Sequence, residues 1–173
     1  MFTLSNSTDA FLILKAQNAG VALVYIPLLW MALHLSKVVS SLVFGGMSDR
    51  VGRKKLIFCG WMLYGLVYLG FAFVSGAVPA LLLFLLYGVF FGLTEGVEKA
   101  LVADLVPKKM HGTAFGLYNL AFGIAVFPAS LLFGFVWYRF SDQAAFILSA
   151  LISIIAALMI LTVKNPRFDS KTA

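Results

Sequence analysis

The chain has 173 residues, of which 62% are hydrophobic and 12% charged, with a formal net charge of +6. Soluble domains average about 25% charged residues, so this composition excludes an ordinary water-soluble globule and points to a polytopic membrane protein. The excess positive charge then belongs to cytoplasmic loops rather than to a nucleic-acid surface, and the single cysteine, Cys59, excludes an internal disulfide or a thiolate metal cluster.

The residues Met1-Phe2-Thr3-Leu4 lack the positive start of a secretory signal. From Phe2 to Ala16 the chain is apolar with Asn6 and Asp9 inside it. As a helix, about 15 residues rise only about 22 Å, short of a hydrocarbon core of about 30 Å. This segment reads as a spanning helix whose beginning is missing. Five later stretches reach spanning length, near 22–46, 56–75, 78–106, 113–138 and 143–163. The expected fold is therefore all-α: a polytopic membrane helix bundle of five full transmembrane helices plus a partial sixth at the N-terminus. Residues 1–163 form the membrane unit and 164–173 a polar tail.

Cations orient the bundle. Arg50, Arg53, Lys54, Lys55, Lys108, Lys109, Lys164, Arg167 and Lys171 collect on one side, and Lys15 and Arg139 on the other. The richer side is cytoplasmic by the positive-inside bias. That places the C-terminal tail in the cytoplasm of a multi-pass protein of the cell (inner) membrane.

Within the 22–46 helix, His34, Lys37, Ser40 and Ser41 are spaced to share one broad face. Lys37 is read as snorkelling toward the cytoplasmic interface and His34 as a packing residue. At the end of this helix stands Gly45-Gly46-Met47-Ser48-Asp49-Arg50-Val51-Gly52-Arg53-Lys54-Lys55. Gly45 and Gly46 remove side-chain bulk where two backbones approach. Asp49 is suited to the exposed amides of another helix's N-terminus. Arg50 and Arg53 offer planar donor forks, for which Asp104 is a candidate partner.

The 78–106 helix carries Gly88, Gly92, Gly96 and Ala100 four apart, a stripe for close helix packing. It also carries Glu95, Glu98 and Lys99. A charge at the bilayer centre costs about 2.5–3.5 kcal/mol on insertion scales, and Glu95 and Lys99 are placed to pair along one face. Pro128 in the 113–138 helix removes a backbone bond and is expected to bend it.

The segment Gly45-x-x-x-Asp49-Arg50-x-Gly52-Arg53-Lys54-Lys55 resembles the signature loop of the major facilitator superfamily. In that family the loop joins the second and third helices, and a weaker copy joins the eighth and ninth. Asp104-x-x-Pro107 followed by Gly112-Thr113 resembles the stretch between the tenth and eleventh. His111 departs from the arginine often found before that glycine. On this resemblance the chain is a C-terminal half, helices seven to twelve with helix seven truncated, and thus a fragment or a split transporter. The resemblance implies transmembrane transport of a small solute by alternating access. It implies that Gly45, Asp49, Arg50, Gly52, Arg53, Lys54 and Asp104 act as a conformational gating loop. It also implies that Asn6, Asp9, Glu95, Glu98 and Lys99 line a cavity or carry a coupling proton. The competing reading is a non-transporting membrane scaffold or assembly subunit. No zinc, nucleophile-elbow or Walker motif occurs, so neither an enzyme nor a cofactor or metal site is expected. The expected partners are the lipid bilayer, a small-molecule solute and an N-terminal half or second half-transporter, with no nucleic acid.

Overall fold

The computed structural model describes residues 1–163, with Asp49 described in its backbone alone. The tail expected over 164–173 lies outside the described residues. Those described are helical, with no strand among them. A 3₁₀ turn at Phe2–Leu4 precedes α1 (Ala10–Asn18), and a second at Leu23–Tyr25 precedes α2 (Ile26–Val51). Then come α3 (Arg53–Phe73), α4 (Ala77–Leu105), a 3₁₀ turn at Lys108–Met110, α5 (His111–Arg139) and α6 (Asp142–Thr162). Five stretches are long and apolar enough to cross a membrane: Leu23–Ser48, Arg53–Phe73, Ala77–Leu105, Lys108–Arg139 and Asp142–Thr162. These are the five expected spans, with ends moved by a few residues.

The first segment differs from expectation. It is not one helix over 2–16, because the backbone leaves the helix between Ser5 and Asp9. Ser5, Asn6, Ser7, Thr8 and Asp9 are all short polar residues that compete with a helix for its own backbone groups. The Ser5 hydroxyl donates to the carbonyl of Phe2 at 2.6 Å, and the Ser7 amide to the carbonyl of Ser5 at 3.2 Å. The remaining stretch, α1, is anchored at its other end. The Lys15 ammonium, on a residue only 7% exposed, lies 2.6 Å from Asp142 in the first turn of α6.

Helix boundaries follow local chemistry. Gly52 ends α2 at φ 97°, a conformation that other L-residues rarely adopt, so the chain reverses into α3 within a single residue. The Ser141 hydroxyl caps α6 by accepting from the amide of Ala144 at 3.0 Å. Helix α5 continues across Pro128.

Neighbours in sequence are not the main neighbours in space. Helix α4 lies against both α2 and α3, and α3 lies against α6, while α2 and α3 touch little. The α2–α4 approach is close because α4 has glycine where α2 has serine. A Cβ on Gly92 would stand 2.2 Å from the Ser40 hydroxyl, and one on Gly88 2.6 Å from the Leu33 carbonyl. Gly96, third in the stripe, faces open space, as do Gly45 and Gly46, where close backbone packing was expected. The core between α3, α4 and α6 is aromatic: Tyr64, Tyr68, Phe71, Phe84, Tyr87 and Phe146 are fully buried. Tyr64 and Tyr68 stack at 4.1 Å, and Phe71 meets Phe84 edge-on at 5.5 Å. The outer faces stay apolar, with Leu42, Ile124, Phe127 and Leu131 exposed, as helices in lipid require. Cys59 is exposed on such a face.

Two outcomes follow from this packing. Gly92→Leu drives a side chain into Ser40 and should cost about 1–3 kcal/mol, read as a lower thermal unfolding midpoint in detergent. Gly96→Ala has room and should not lower that midpoint. In the second case, Asp142→Asn leaves the buried Lys15 ammonium without its partly exposed counter-charge, at a cost of about 1–3 kcal/mol. Pairing it with Lys15→Met should restore part of the loss in the same measurement.

Candidate functional site

Side chains from α2, α4, α5 and the N-terminal segment enclose a cavity of about 240 Å³. Its charged groups are Lys37 from α2 and Glu95, Glu98 and Lys99 from α4. Apolar walls come from Phe90, Phe91 and Phe122 among others. Glu95 is ten residues before the end of α4, about 15 Å of helical rise, so these charges sit well inside the span.

Lys37 does not snorkel. The close α2–α4 approach brings its ammonium 2.6 Å from Glu95 and 4.6 Å above the centre of the Phe91 ring. A charge at this depth gains more from a carboxylate and a ring face than from an extended reach to the interface. Lys99, four residues on, reaches the other Glu95 oxygen at 3.4 Å. Glu98 points elsewhere. It accepts from the Trp61 indole nitrogen at 2.8 Å and from the Tyr118 hydroxyl at 2.6 Å, which ties α3 and α5 to α4. The other polar residues expected on the Lys37 face separate. Ser40 lies against α4, its hydroxyl 2.6 Å from the Ser36 carbonyl of its own helix and 3.2 Å from the Gly88 carbonyl, while Ser41 donates to the carbonyl of Lys37 at 2.7 Å. Ser36, outside that expected face, donates to the carbonyl of Leu85 on α4 at 2.7 Å. His34 is exposed and meets Trp30 edge-on at 5.7 Å.

The structure brings Asn6 to this cavity but not Asp9. Asp9 instead accepts from the buried Tyr87 hydroxyl at 2.8 Å. Tyr87 precedes Glu95 by two helical turns, so Asp9 lies about 12 Å nearer the other end of α4 than Glu95 does. Beside it the Tyr64 hydroxyl donates to the carbonyl of Ser5 at 2.6 Å.

At the far end of α4, Arg53 opens α3 and reaches across to Asp104 and to the carbonyl of Ala100. Lys54 donates to the carbonyl of Val163 just past α6. Cations at these points meet the negative ends of two helix dipoles. Arg50 and Gly52 are exposed. The side chain of Asp49 lies outside what the structure describes. The expected loop residues thus divide: Arg53, Lys54 and Asp104 join helices, Gly52 turns the backbone at positive φ, and Gly45 lies inside α2 without close neighbours.

Lys37, Trp61 and Tyr118 were not singled out from sequence as site residues. A lysine in the middle of one span and an unmatched glutamate in another already call for a cross-helix pair. A lone indole or phenol carries no such signal, since either also suits a membrane interface.

The family model described as Major Facilitator Superfamily matches residues 2–173. An uncharacterized MFS-type transporter of Methanocaldococcus jannaschii is 35% identical over 167 residues, covering 93% of this chain and 42% of the relative. The tetracycline resistance protein, class B, of Escherichia coli is 28% identical over 142 residues, covering 80% of this chain and 35% of the relative. The multi-drug resistance efflux pump PmrA of Streptococcus pneumoniae is 27% identical over 125 residues, covering 72% and 31%. The chain therefore spans less than half the length of these relatives.

The charge geometry sets one expectation. Lys37→Met leaves Glu95 with only the longer Lys99 contact, whereas Lys37→Arg keeps a cation in place. The methionine variant should lose about 1–2 kcal/mol of stability, with a double-mutant cycle against Glu95→Gln giving a coupling of the same order. A coupling of zero would show that the pair holds nothing together.

Proposed function

The chain belongs to the major facilitator superfamily, and from that premise we propose that it forms the C-terminal half of a small-solute transporter working by alternating access. The observation that carries this reading is the cavity holding Lys37, Glu95, Glu98 and Lys99 among membrane-spanning helices. A scaffold gains nothing from four charges at that depth, whereas a solute path needs polar groups where lipid allows few. Family membership speaks for transport rather than enzymatic chemistry. Two relatives bear the names of a multi-drug efflux pump and a tetracycline resistance protein, which favours export as the direction.

In this reading the α2–α4–α5 cavity is one wall of a midplane site, and an N-terminal half supplies the other. Glu98 is the residue we assign to proton exchange. It is held by an indole and a phenol rather than by a cation, so a proton can come and go without breaking an ion pair. Arg53, Lys54 and Asp104 would close the cytoplasmic side in one state and release it in the other. Asp49 and Arg50 would serve the same closure by meeting the N-terminal half. The cation-rich loops and the tail 164–173 would face the cytoplasm of a cell membrane.

The test is transport into proteoliposomes under an imposed pH gradient, with a panel of small solutes that includes tetracycline. The chain is reconstituted alone and together with the N-terminal half of the Methanocaldococcus relative. Gradient-driven transport is expected only from the combination, and Glu98→Gln should cut it at least tenfold. Full transport by the lone monomer would end the half-transporter reading, and an unaffected Glu98→Gln variant would remove Glu98 from the mechanism.

A further inference from the structure

Two lysines and two glutamates line one cavity, yet their charges are not matched one to one. Glu95 takes both lysines, Lys37 at 2.6 Å and Lys99 at 3.4 Å. Glu98 takes neither, and among the described residues its partners are only the neutral donors Trp61 and Tyr118. Each Glu98 oxygen holds one donor and retains room for another. Neutral donors orient a carboxylate, but they do not cancel its charge, and a carboxylate taken out of water is penalised by several kcal/mol. A negative charge with no ion-pair partner thus stands at Glu98. One helical turn away one carboxylate serves two ammonium groups, which leaves a surplus positive charge. Lys99 carries most of that freedom, with a long contact and a side chain 51% exposed.

The cavity's two faces therefore call for opposite charges on one ligand. A simple cation would satisfy Glu98 and worsen the surplus at Lys99. A simple anion would do the reverse. Glu95 and Glu98 are one helical turn apart, about 5–6 Å between side-chain origins, so a single small molecule reaches both faces. The remaining walls are Phe90, Phe91 and Phe122, with the Tyr118 ring beside Glu98. At about 240 Å³ the space is below the usual range of about 300–1,000 Å³ for drug-sized ligands. It suits one ring with two substituents.

We propose that this cavity binds a zwitterionic aromatic solute, its ammonium on Glu98 and its carboxylate on Lys99 beside Lys37. The inference rests on the cavity being the solute site, and it adds the chemical class.

Four probes on one ring scaffold test it: 4-(aminomethyl)benzoate, benzylamine, benzoate and benzyl alcohol. Binding to the chain assembled in detergent with the N-terminal half of the Methanocaldococcus relative is followed by calorimetric titration, which does not depend on transport. The zwitterion should bind at least tenfold more tightly than benzyl alcohol, with the two singly charged probes between. Glu98→Gln should weaken the zwitterion and benzylamine about tenfold and leave benzoate unchanged. Lys99→Gln should weaken the zwitterion and benzoate and leave benzylamine unchanged. Near-ultraviolet circular dichroism checks that each variant keeps its fold, and the wild-type probe series stands without either variant. Equal binding of all four probes, or tightest binding of a singly charged one, would overturn the charge class while leaving the cavity a solute site. Binding of none of the four would overturn the site reading and this inference together.

Discussion

The contact between α2 and α4 sets the geometry of everything charged in this bundle. With glycine at 88 and 92, the backbone of α4 lies directly on Leu33, Ser36 and Ser40 of α2. Lys37, between Ser36 and Ser40, and Glu95, one turn past Gly92, are then held at 2.6 Å. A wider spacing would leave Lys37 without its carboxylate and Glu95 with only the longer Lys99 contact, in a medium where water does not replace the missing partner. The small-residue stripe and the ion pair are thus one device, the first placing the second. The Ser36 hydroxyl adds a bond to the Leu85 carbonyl of α4 without needing extra space, while Ser40 gives its proton to the Ser36 carbonyl of its own helix at 2.6 Å.

The two carboxylates of α4 differ in how they are answered. Glu95 meets formal positive charge from two lysines. Glu98 meets dipoles, from an indole on α3 and a phenol on α5. An ion pair fixes both partners in their charged states, because neutralising either strands the other. A carboxylate held by neutral donors has no such constraint and can exchange a proton or accept a cationic group. Packing keeps the distinction in place: Trp61 is stacked on Phe2 at 4.6 Å, so its nitrogen stays aimed at Glu98.

The spans were legible in the sequence because lipid imposes one pattern, long apolar runs ended by glycine, proline or charge. Five of them reappear with small shifts at their ends. The segment 2–16 was misread as a single helix because apolar content was weighed and the run Ser5–Asp9 was not. Arg53 beside Asp104 was within reach of sequence reasoning, since both lie at helix ends on one side. Lys37 with Glu95 was only partly so: a lysine in mid-span calls for a partner on another helix, but nothing in either helix alone says which residue faces it across the gap. Trp61 and Tyr118 were further out of reach. They become site residues only once α3 and α5 converge on α4, a fact of three-dimensional packing rather than spacing.

Helix α3 is tied at both of its ends. Where it begins, Arg53 and Lys54 hold the C-terminal ends of α4 and α6. Where it finishes, the carbonyl of Ala72 lies 3.5 Å from the Lys15 ammonium, which is itself paired with the start of α6. Between these ties runs the buried aromatic core. Helices α3, α4 and α6 therefore form one braced body, and α2 joins it through the glycine contact. Helix α5 is held differently: only Ala129 and Phe133 are buried along it, and Tyr118 is its polar tie to the cavity. The cavity thus has two helical walls, α2 and α4, in a braced unit, a third side from Phe2 and Asn6, and one wall on a lightly held helix. Any rearrangement that opens it at least cost should move the Tyr118 end of α5 and break the Tyr118–Glu98 bond, because the helix's aromatic packing, Phe133 and Trp137 on Phe11 and Phe146, lies toward its other end.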